Sequence, residues 1–192
     1  MDALDGVEVI AFADAHAWES WLAANHELPA GVWLKLAKKS SGIPSVTDDE
    51  VVDIGLCFGW VSGQRRSLDE RYYLQKYVPR RPRSLWSKVN VDKVAMLLAA
   101  GRMREPGMAE VRAAQADGRW DAAYVSQRDA VTPPDVVAAL ERNEQAKEFF
   151  DALDKTYQYR TYLPVIQALT PRARATRLAK MIAMLEAGEN PR

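Results

Sequence analysis

The sequence predicts an α+β fold: a small antiparallel sheet of about four strands in the first half, packed with helices, followed by an all-helical C-terminal region. Three observations carry this prediction. Apolar residues alternate with a period of two in several segments before residue 80. Helix-start signals lie between those segments, and after residue 91 only helical signals recur. We therefore predict an α+β core domain over 1–90 and a helical region over 91–192, packed together as one compact unit.

The first elements alternate between strand and helix. Residues 7–12 are predicted to form a short strand, and Asp14 is a good N-cap for an amphipathic helix that follows. Residues 32–37 alternate as a strand does. Thr47 and Glu50 have the spacing of a capping box, which predicts the start of a second helix. This order places two helices beside the predicted sheet.

Two further strands are predicted over 60–67 and 71–78, joined by a turn at 68–70. The segment after them must be extended, because Pro79 and Pro82 each disfavour helix for the residue before them. This segment is also rich in arginine. Because it is an extended loop flanked by prolines, its side chains are expected to project freely.

The second half carries a series of helix signals. Asn90 is the expected cap of a helix to Ala100, and its side-chain oxygen should accept from the N–H of residue 92 or 93. Pro106 begins another helix that ends before Gly118, and both Thr132-Pro133 and Thr170-Pro171 are cap-then-proline starts. Pro164 should kink its helix or mark its first turn.

Charge is balanced over the whole chain and uneven along it. Lysine plus arginine and aspartate plus glutamate number 26 each, yet residues 59–93 hold nine basic against three acidic side chains. Residues 170–192 carry a further +3, so the remainder carries −9. A neutral protein with a basic middle indicates a local anion site rather than a general polyanion binder.

Composition excludes several classes of protein. Cys57 is the only cysteine, so an intramolecular disulfide and a metal site with four cysteine ligands are both excluded. The acidic residues at the start do not resemble a signal peptide, and the apolar runs are shorter than the roughly 20 residues that span a bilayer. We therefore expect a cytoplasmic protein without membrane insertion.

The basic-aromatic segment that begins at Gly59 is the candidate binding site. Arginine forks match phosphate and carboxylate geometry, and aromatic rings can stack on bases or on guanidinium groups. The expected ligand-binding residues are Arg65, Arg66, Tyr73, Arg80, Arg81, Arg83, Trp86 and Lys88. Two alternatives stay open: a solvated strand face whose arginines pair with the surplus acids, and a docking surface for a partner protein. Trp86 is more typical of a buried residue that fixes the exit of the arginine loop than of a stacking platform.

No pattern fixes a catalytic residue, a metal or a cofactor. His16 and His26 are ten residues apart, unlike the i, i+4 pair of a zinc helix, and no G-x-S-x-G segment marks a nucleophile. Phosphate-loop and dinucleotide fingerprints are absent from the sequence. Cys57 is expected to be buried and structural; the alternative is a redox or nucleophilic thiol, which would need positive charge from Arg65 and Arg66 beside it. Arg174 and Arg177 share a helix face that is either a second basic surface or simply solvated.

Several blocks of sequence resemble the YdeI/OmpD-associated family of bacterial proteins. The blocks are Gly59-Trp60-Val61-Ser62-Gly63, Tyr77-Val78-Pro79-Arg80-Arg81-Pro82, Ser84-Leu85-Trp86-Ser87-Lys88-Val89-Asn90, Gly101-Arg102-Met103 with Gly107, and Asp117-Gly118-Arg119-Trp120. The closing helices are similar too, with Tyr162, Thr170, Arg174, Arg177 and Lys180. The likeness covers nearly the whole chain. It implies a bacteriocin-protection or porin-associated role and no defined reaction, and Ser62 stands where the family pattern leads us to expect aspartate.

The predicted function combines the resemblance with the basic segment. We predict a cytoplasmic, non-enzymatic binding or interaction protein of bacterial stress or envelope protection, with an anion-binding surface. Its partners would be an anionic small molecule or phosphate group, or another protein. One alternative is an enzyme acting on a small anionic substrate that Arg65, Arg81 and Arg83 clamp. A nucleic-acid-binding protein is the other alternative, which the zero net charge disfavours.

Overall fold

The computed structural model describes residues 3–190 and contains five strands and eight helices in that range. The first half holds β1 (Ala3–Leu4), β2 (Val7–Ile10), α1 (Ala15–Asn25), β3 (Val32–Ala37), α2 (Asp48–Cys57), β4 (Trp60–Ser67) and β5 (Tyr72–Pro79). The second half holds α3 (Lys88–Ala99), α4 (Glu105–Ala116), α5 (Pro134–Leu140), α6 (Glu144–Ala152), α7 (Lys155–Ile166) and α8 (Pro171–Glu186). The predicted α+β class is confirmed.

The described chain forms two compact units. The first contains residues 3–84 and Asp92–Ala116, and the second contains residues 85–91 and 117–190. The predicted division into 1–90 and 91–192 stays a prediction. No helix within residues 3–190 combines the length and the apolar character that crossing a membrane would need.

The sheet has five strands in the order β1-β2-β3-β5-β4, one more than the predicted four. The prediction overlooked β1 because it has two residues; Asp5 and Gly6 join it to β2 with φ of 53° and 74°, the positive pair of a type I′ hairpin turn. The antiparallel prediction is wrong for one pair, since β2 and β3 run parallel. The cause is α1, which returns the chain so that β3 enters the sheet in the direction of β2.

The sheet curls so that its two edges approach each other. Arg66 on β4 places Nη2 2.9 Å from Oδ2 of Asp5, which lies in the turn beside the opposite edge strand. In a flat sheet, strands four positions apart would lie about 19 Å from one another. The face that carries Trp33 and Leu74 is therefore concave, and both side chains are almost fully buried.

The other face of the sheet packs against α1 and α2 through an aromatic cluster. Trp18 stacks on Trp21 at a centroid distance of 5.5 Å, and Trp18 meets Trp60 and Tyr77 edge to face at 6.2 and 5.9 Å. Trp60 donates its indole N–H to the carbonyl of His26 at 2.8 Å. Large buried aromatic rings of this kind make a dominant contribution to the stability of a core.

α4 lies unusually close to the C-terminal end of α2. A Cβ placed on Gly107 would lie 2.3 Å from the carbonyl oxygen of Cys57 and 2.5 Å from that of Leu56. Only glycine permits this approach, because the closest atoms belong to the backbone and cannot turn aside. Gly107, one of the positions in the resemblance, therefore has a packing role.

The predicted helix starts hold in part. Asp14 and Thr170 accept from the N–H of Ala17 and Ala173, and Thr47 with Glu50 forms both halves of the capping box. The cap of α3 was predicted wrongly: Ser87 Oγ accepts from the N–H of Asn90 at 3.2 Å, so the helix begins three residues earlier. For α5, Pro133 occupies the cap position instead of Thr132, because Pro134 takes the first helical position.

The second unit builds its own core from α5 to α8. Val136, Ala146, Phe150, Tyr162, Val165, Met181 and Leu185 are buried together there. Tyr159 and Tyr162 meet edge to face at 5.7 Å. Pro164 lies inside α7, two residues before the helix ends at Ile166, so the expectation that it marks the first turn is wrong and the expected kink stays a prediction. Its position matters because a proline leaves the carbonyl four residues earlier without its usual donor.

Candidate functional site

The predicted basic-aromatic segment does not form one surface, and its first part lies on the concave face of the sheet. The Arg66 guanidinium lies 5.2 Å and the Lys76 ammonium 5.6 Å from the ring centre of Trp33. Lys35 sits 4.2 Å over Tyr72 in the same way. These are cation–π contacts, and the ion pair to Asp5 engages Arg66 further. The cations of this face therefore make contacts within the protein that stabilise the fold.

Arg65 is positioned by a bulge in β4. The pairing with β5 shifts between Ser62 and Arg65, which places Arg65 opposite Gln75. The buried amide of Gln75 donates to the carbonyls of Gly63 and Gln64 at 3.0 and 3.1 Å and accepts from Arg65 Nε at 2.8 Å. Gln75 thus supplies hydrogen-bond donors to backbone carbonyls at the bulge, where the regular pairing of the strands is interrupted. No pattern in the sequence marks Gln75 for this role.

The far end of Arg65 reaches the start of α2. Its Nη2 lies 2.7 Å from Asp48 Oδ1, and its guanidinium lies 4.5 Å from the ring centre of Tyr73. Burial, together with a hydrogen bond to Asp48 and the charge of that carboxylate, raises the pKa of Tyr73 to about 12. Both predicted ligand-binding residues are therefore occupied by partners within the protein.

A cleft of about 460 Å³ lies beside this cluster. Its lining includes Lys38, Lys39, Thr47, Asp48, Asp49 and Tyr73. Helix N-termini attract anions, but the first turn of α2 already holds Asp48, Asp49 and Glu50. Backbone and side-chain hydrogen bonds from Thr47 lower the pKa of Glu50, so its carboxylate occupies the end of the helix. This cleft is consequently unsuited to an anionic ligand.

Arg81 and Arg83 lie on an exposed turn, which we call the arginine turn (residues 81–84). The N–H of Ser84 donates to the carbonyl of Arg81 at 2.8 Å, with Pro82 between them. Ser84 Oγ accepts from the N–H of Arg81 at 2.9 Å. Arg83 has φ of 77°. Proline followed by a residue of positive φ is the signature of a type II turn.

The arginine turn carries its charges without internal compensation. Both guanidinium groups are exposed, and across residues 3–190 neither makes an ion pair or a side-chain hydrogen bond. Arg83 also occupies a backbone conformation that normally selects glycine or asparagine and costs other residues about 1–2 kcal/mol. Residues with a strained backbone cluster at active sites and ligand-binding positions.

The remaining predicted site residues have different surroundings. Arg80 is 6% exposed and donates its backbone N–H to the carbonyl of Gly59 at 2.9 Å. Trp86 is 1% exposed, with its ring centre 4.9 Å from that of Trp120. Lys88 is exposed at the first position of α3. Arg80 and Trp86 are therefore not presented to solvent, and the expectation that Trp86 is buried is confirmed.

Both histidines line one cleft in the first unit, which sequence spacing did not indicate. The cleft has a volume of about 490 Å³ and is lined by His16, Glu19, His26, Phe58 and Arg104, among others. Arg104 Nη2 lies 2.8 Å from Glu19 Oε1, so the two charges compensate each other. Nowhere in residues 3–190 do three histidine, cysteine or carboxylate side chains gather closely enough to hold a metal ion.

Cys57 is buried, as expected for a structural thiol. It is 3% exposed, and burial raises the pKa of its thiol, an effect that the charges of Arg102 and Arg104 oppose. The thiolate is the reactive form of cysteine, so both burial and the raised pKa favour an unreactive side chain.

Arg174 and Arg177 have a structural role that the sequence did not indicate. Arg174 binds both oxygens of Asp135, at 2.7 and 2.8 Å, and donates to the carbonyl of Val165 at 3.2 Å. Arg177 donates to the carbonyl of Pro164 at 2.7 Å. The two side chains of α8 thereby bind carbonyl groups in the last turn of α7, where helical donors run out.

Replacing Arg174 with lysine is expected to lower the free energy of unfolding of the second unit by about 1 kcal/mol at neutral pH. An ammonium cannot reproduce the paired bonds to Asp135, and partial exposure of that pair moderates their strength. Urea denaturation, followed by hydrogen exchange in α5 and α8, would measure the change. Arg172→Lys, on the same helix and exposed, is the matched control and should behave as the parent.

The same pair predicts a pH dependence. Hydrogen bonding from Arg174 lowers the pKa of Asp135. A carboxyl group whose folded pKa is depressed contributes stability above its unfolded pKa, about 4, and loses it as pH falls through the folded pKa. The difference between the parent and Arg174→Lys should therefore shrink as the pH falls from about 4 through the lowered, folded-state pKa of Asp135. An unchanged difference at acid pH would contradict the assignment to Asp135.

Two protein families match the sequence, each over a different part. The family model described as a domain of unknown function (DUF8412) matches residues 10–110. The family model described as bacteriocin-protection, YdeI or OmpD-associated matches residues 129–188. A search of curated proteins and a search of solved structures each returned no match.

Proposed function

Because the chain belongs to the DUF8412 family and its residues 129–188 are of the bacteriocin-protection, YdeI or OmpD-associated type, we propose that it is a non-enzymatic binding protein of that protective class. It binds an anion through the arginine turn. The ligand is a phosphate or carboxylate group carried by a small molecule or by a partner.

The observation that carries this proposal is the uncompensated charge of Arg81 and Arg83. Arg65 and Arg66 are held by Asp48 and Asp5 and Arg80 is buried, which leaves Arg81 and Arg83 as the exposed arginines of the predicted site. Two guanidinium groups on a proline-containing turn are partly pre-ordered, so a ligand recovers more of their hydrogen-bond energy. Glycine would form this turn without strain, so the positive φ of Arg83 is consistent with a functional role for its side chain.

The enzyme and nucleic-acid alternatives stay predictions. The enzyme alternative requires Arg65 to act with Arg81 and Arg83, yet Arg65 is bound to Asp48 and to Gln75. A nucleic-acid site would require a broad basic stripe, whereas Arg66 and Lys76 lie over the ring of Trp33. No specific observation favours either alternative over a local anion site.

Removing both arginines is expected to weaken binding of inorganic pyrophosphate at least about a hundredfold, since each charge-assisted hydrogen bond contributes roughly 1.5–3 kcal/mol. Titration calorimetry of the parent and of Arg81→Ala with Arg83→Ala would measure it. Arg71→Ala removes an exposed charge from the β4–β5 turn and is the control, which should bind as the parent does. Three results would contradict this binding site: the double variant binds pyrophosphate as tightly as the parent, the Arg71→Ala control loses as much affinity as the double variant, or the parent itself does not bind pyrophosphate.

Arg83→Gly separates the backbone role from the side-chain role. Glycine adopts positive φ freely, so this variant should unfold with a free energy up to about 1 kcal/mol higher than the parent. It should nevertheless bind pyrophosphate at least about tenfold more weakly, because one guanidinium is lost. A variant that is more stable and binds equally well would show that Arg83 serves only the turn.

We place the protein in the cytoplasm as part of the same proposal. The support is chemical: Cys57 is a buried free thiol and the only cysteine of the chain, which fits a reducing compartment. Cell fractionation of a tagged full-length chain tests the placement, and recovery with the periplasmic or membrane fraction would contradict it.

A further inference from the structure

A groove in the second unit combines positive charge with an apolar floor. It lies between α7 and α8 and has a volume of about 510 Å³. Arg160, Arg177 and Lys180 line it, while Met181, which is buried, and Met184, which is half-buried, lie along its floor. Among the described residues of its lining, Glu189 is the one carboxylate, so the groove is strongly cationic.

A second groove of about 390 Å³ continues from the first toward the start of α8. The two share Arg177 and Lys180, and the second adds Arg172 together with the hydroxyls of Thr170 and Thr176. Within residues 3–190, no carboxylate lines this part. Together they form an open strip along α8, which we call the α8 strip. Its length approaches that of the 16-residue helix, about 24 Å.

Arg177, at the centre of the strip, is held in place by the last turn of α7, because it donates to the carbonyl of Pro164 at 2.7 Å. In a continuing helix the N–H of Ala168 would donate to that carbonyl, but here it donates to the carbonyl of Val165 instead. The bond from Arg177 fixes one cation between the two grooves and leaves most of its donors unused, because a guanidinium has five N–H groups. Arg160 is supported in a similar way by the ring of Tyr157, at 5.7 Å.

We propose that the α8 strip binds an acidic amphipathic helix of a partner protein. The cations complement glutamate or aspartate on one face of such a helix, and the methionine floor accepts its apolar face. A small anion would leave the methionines unused, and a nucleic acid would use only the charges. The elongated open shape fits a helix of four to five turns, about 16–18 residues long.

The experiment uses the full chain and a fluorescently labelled synthetic helix of about 18 residues, with glutamates on one face and leucines on the other. Its control is a peptide of the same composition in scrambled order. Arg160→Glu, Arg172→Glu and Lys180→Glu are combined in one variant, and Arg177 is left intact because it binds the end of α7. Lys155→Glu is the matched control, since it reverses an exposed charge at the first turn of α7, where a carboxylate is favourable.

The parent should bind the amphipathic peptide, and the triple variant should bind at least about tenfold more weakly, because three cations that attract the glutamates become carboxylates that repel them. Lys155→Glu should bind as the parent does. Met184→Ser should also weaken binding, which a purely electrostatic surface would not show. Circular dichroism of each variant confirms that it is folded.

Three results would overturn the proposal. Equal binding of the scrambled peptide would show that the strip recognises only the charge of the peptide and not its amphipathic helix. Binding to vesicles containing anionic lipid, with the same loss in the triple variant and none of the peptide bound, would assign the strip to a membrane surface. Failure of the parent to bind the amphipathic peptide would leave the strip without this occupant.

Discussion

Gly31→Ala is expected to lower the free energy of unfolding of the first unit by about 4 kcal/mol. Gly31 has φ of +67°, and a Cβ there would lie 2.2 Å from the carbonyl oxygen of Tyr77 and 2.6 Å from Cγ1 of Val78. Tyr77 pairs with Val32 across β3 and β5, so the new methyl group would force the two strands apart. Left-handed strain in the backbone adds to the cost of that separation.

Gly42→Ala is the matched control for this substitution. Gly42 has almost the same φ, +66°, but a Cβ there would meet no atom within 4 Å. Its replacement should therefore cost only the backbone strain, about 1 kcal/mol. Hydrogen exchange in the peptides of β3 and β5 would report both changes locally, which avoids assuming that the two units unfold together. Equal effects of the two substitutions would contradict the close approach of Gly31 to β5.

Trp86→Ala is expected to lower the free energy of unfolding by about 3–5 kcal/mol, the usual cost of removing a buried aromatic ring. Trp86 packs edge to face against Trp120 and is almost fully buried. Its backbone also joins a short parallel bridge, in which its carbonyl accepts from Tyr124 and the N–H of Lys88 donates to the Tyr124 carbonyl. The side chain therefore supports the segment that leads into α3.

Two neighbouring substitutions calibrate that result. Ser87→Ala removes the cap of α3 and should cost about 1 kcal/mol. Asn90→Ala should have little effect, because it is the backbone N–H of Asn90, not its side chain, that takes part in the cap. Urea midpoints of the three variants would give the order. If Trp86→Ala were as stable as the parent and lost pyrophosphate binding, Trp86 would be a ligand platform and its structural assignment would fail.

The sequence by itself determined the features that depend on contacts within a few residues. Thr47 with Glu50, and Asp14 and Thr170 as caps, were identified because an N-cap bond spans only three residues. The burial of Cys57 and Trp86 was expected from residue type, because free cysteine and tryptophan side chains are more often buried than exposed. The resemblance of the closing helices to the YdeI/OmpD-associated family is confirmed over residues 129–188.

The tertiary structure alone decided which charges are available. Arg65 meets Asp48 through a bulge, and Arg66 meets Asp5 only because the sheet curls, whereas Arg81 and Arg83 meet no carboxylate of the described chain. These pairings join residues far apart in sequence, and a register shift of one residue would move each side chain to the other face of its strand. The spacing of residues along the chain does not reveal how the sheet curls or which residues of its strands pair. The sequence could therefore predict a basic segment but could not identify which of its arginines lack an ion-pair partner.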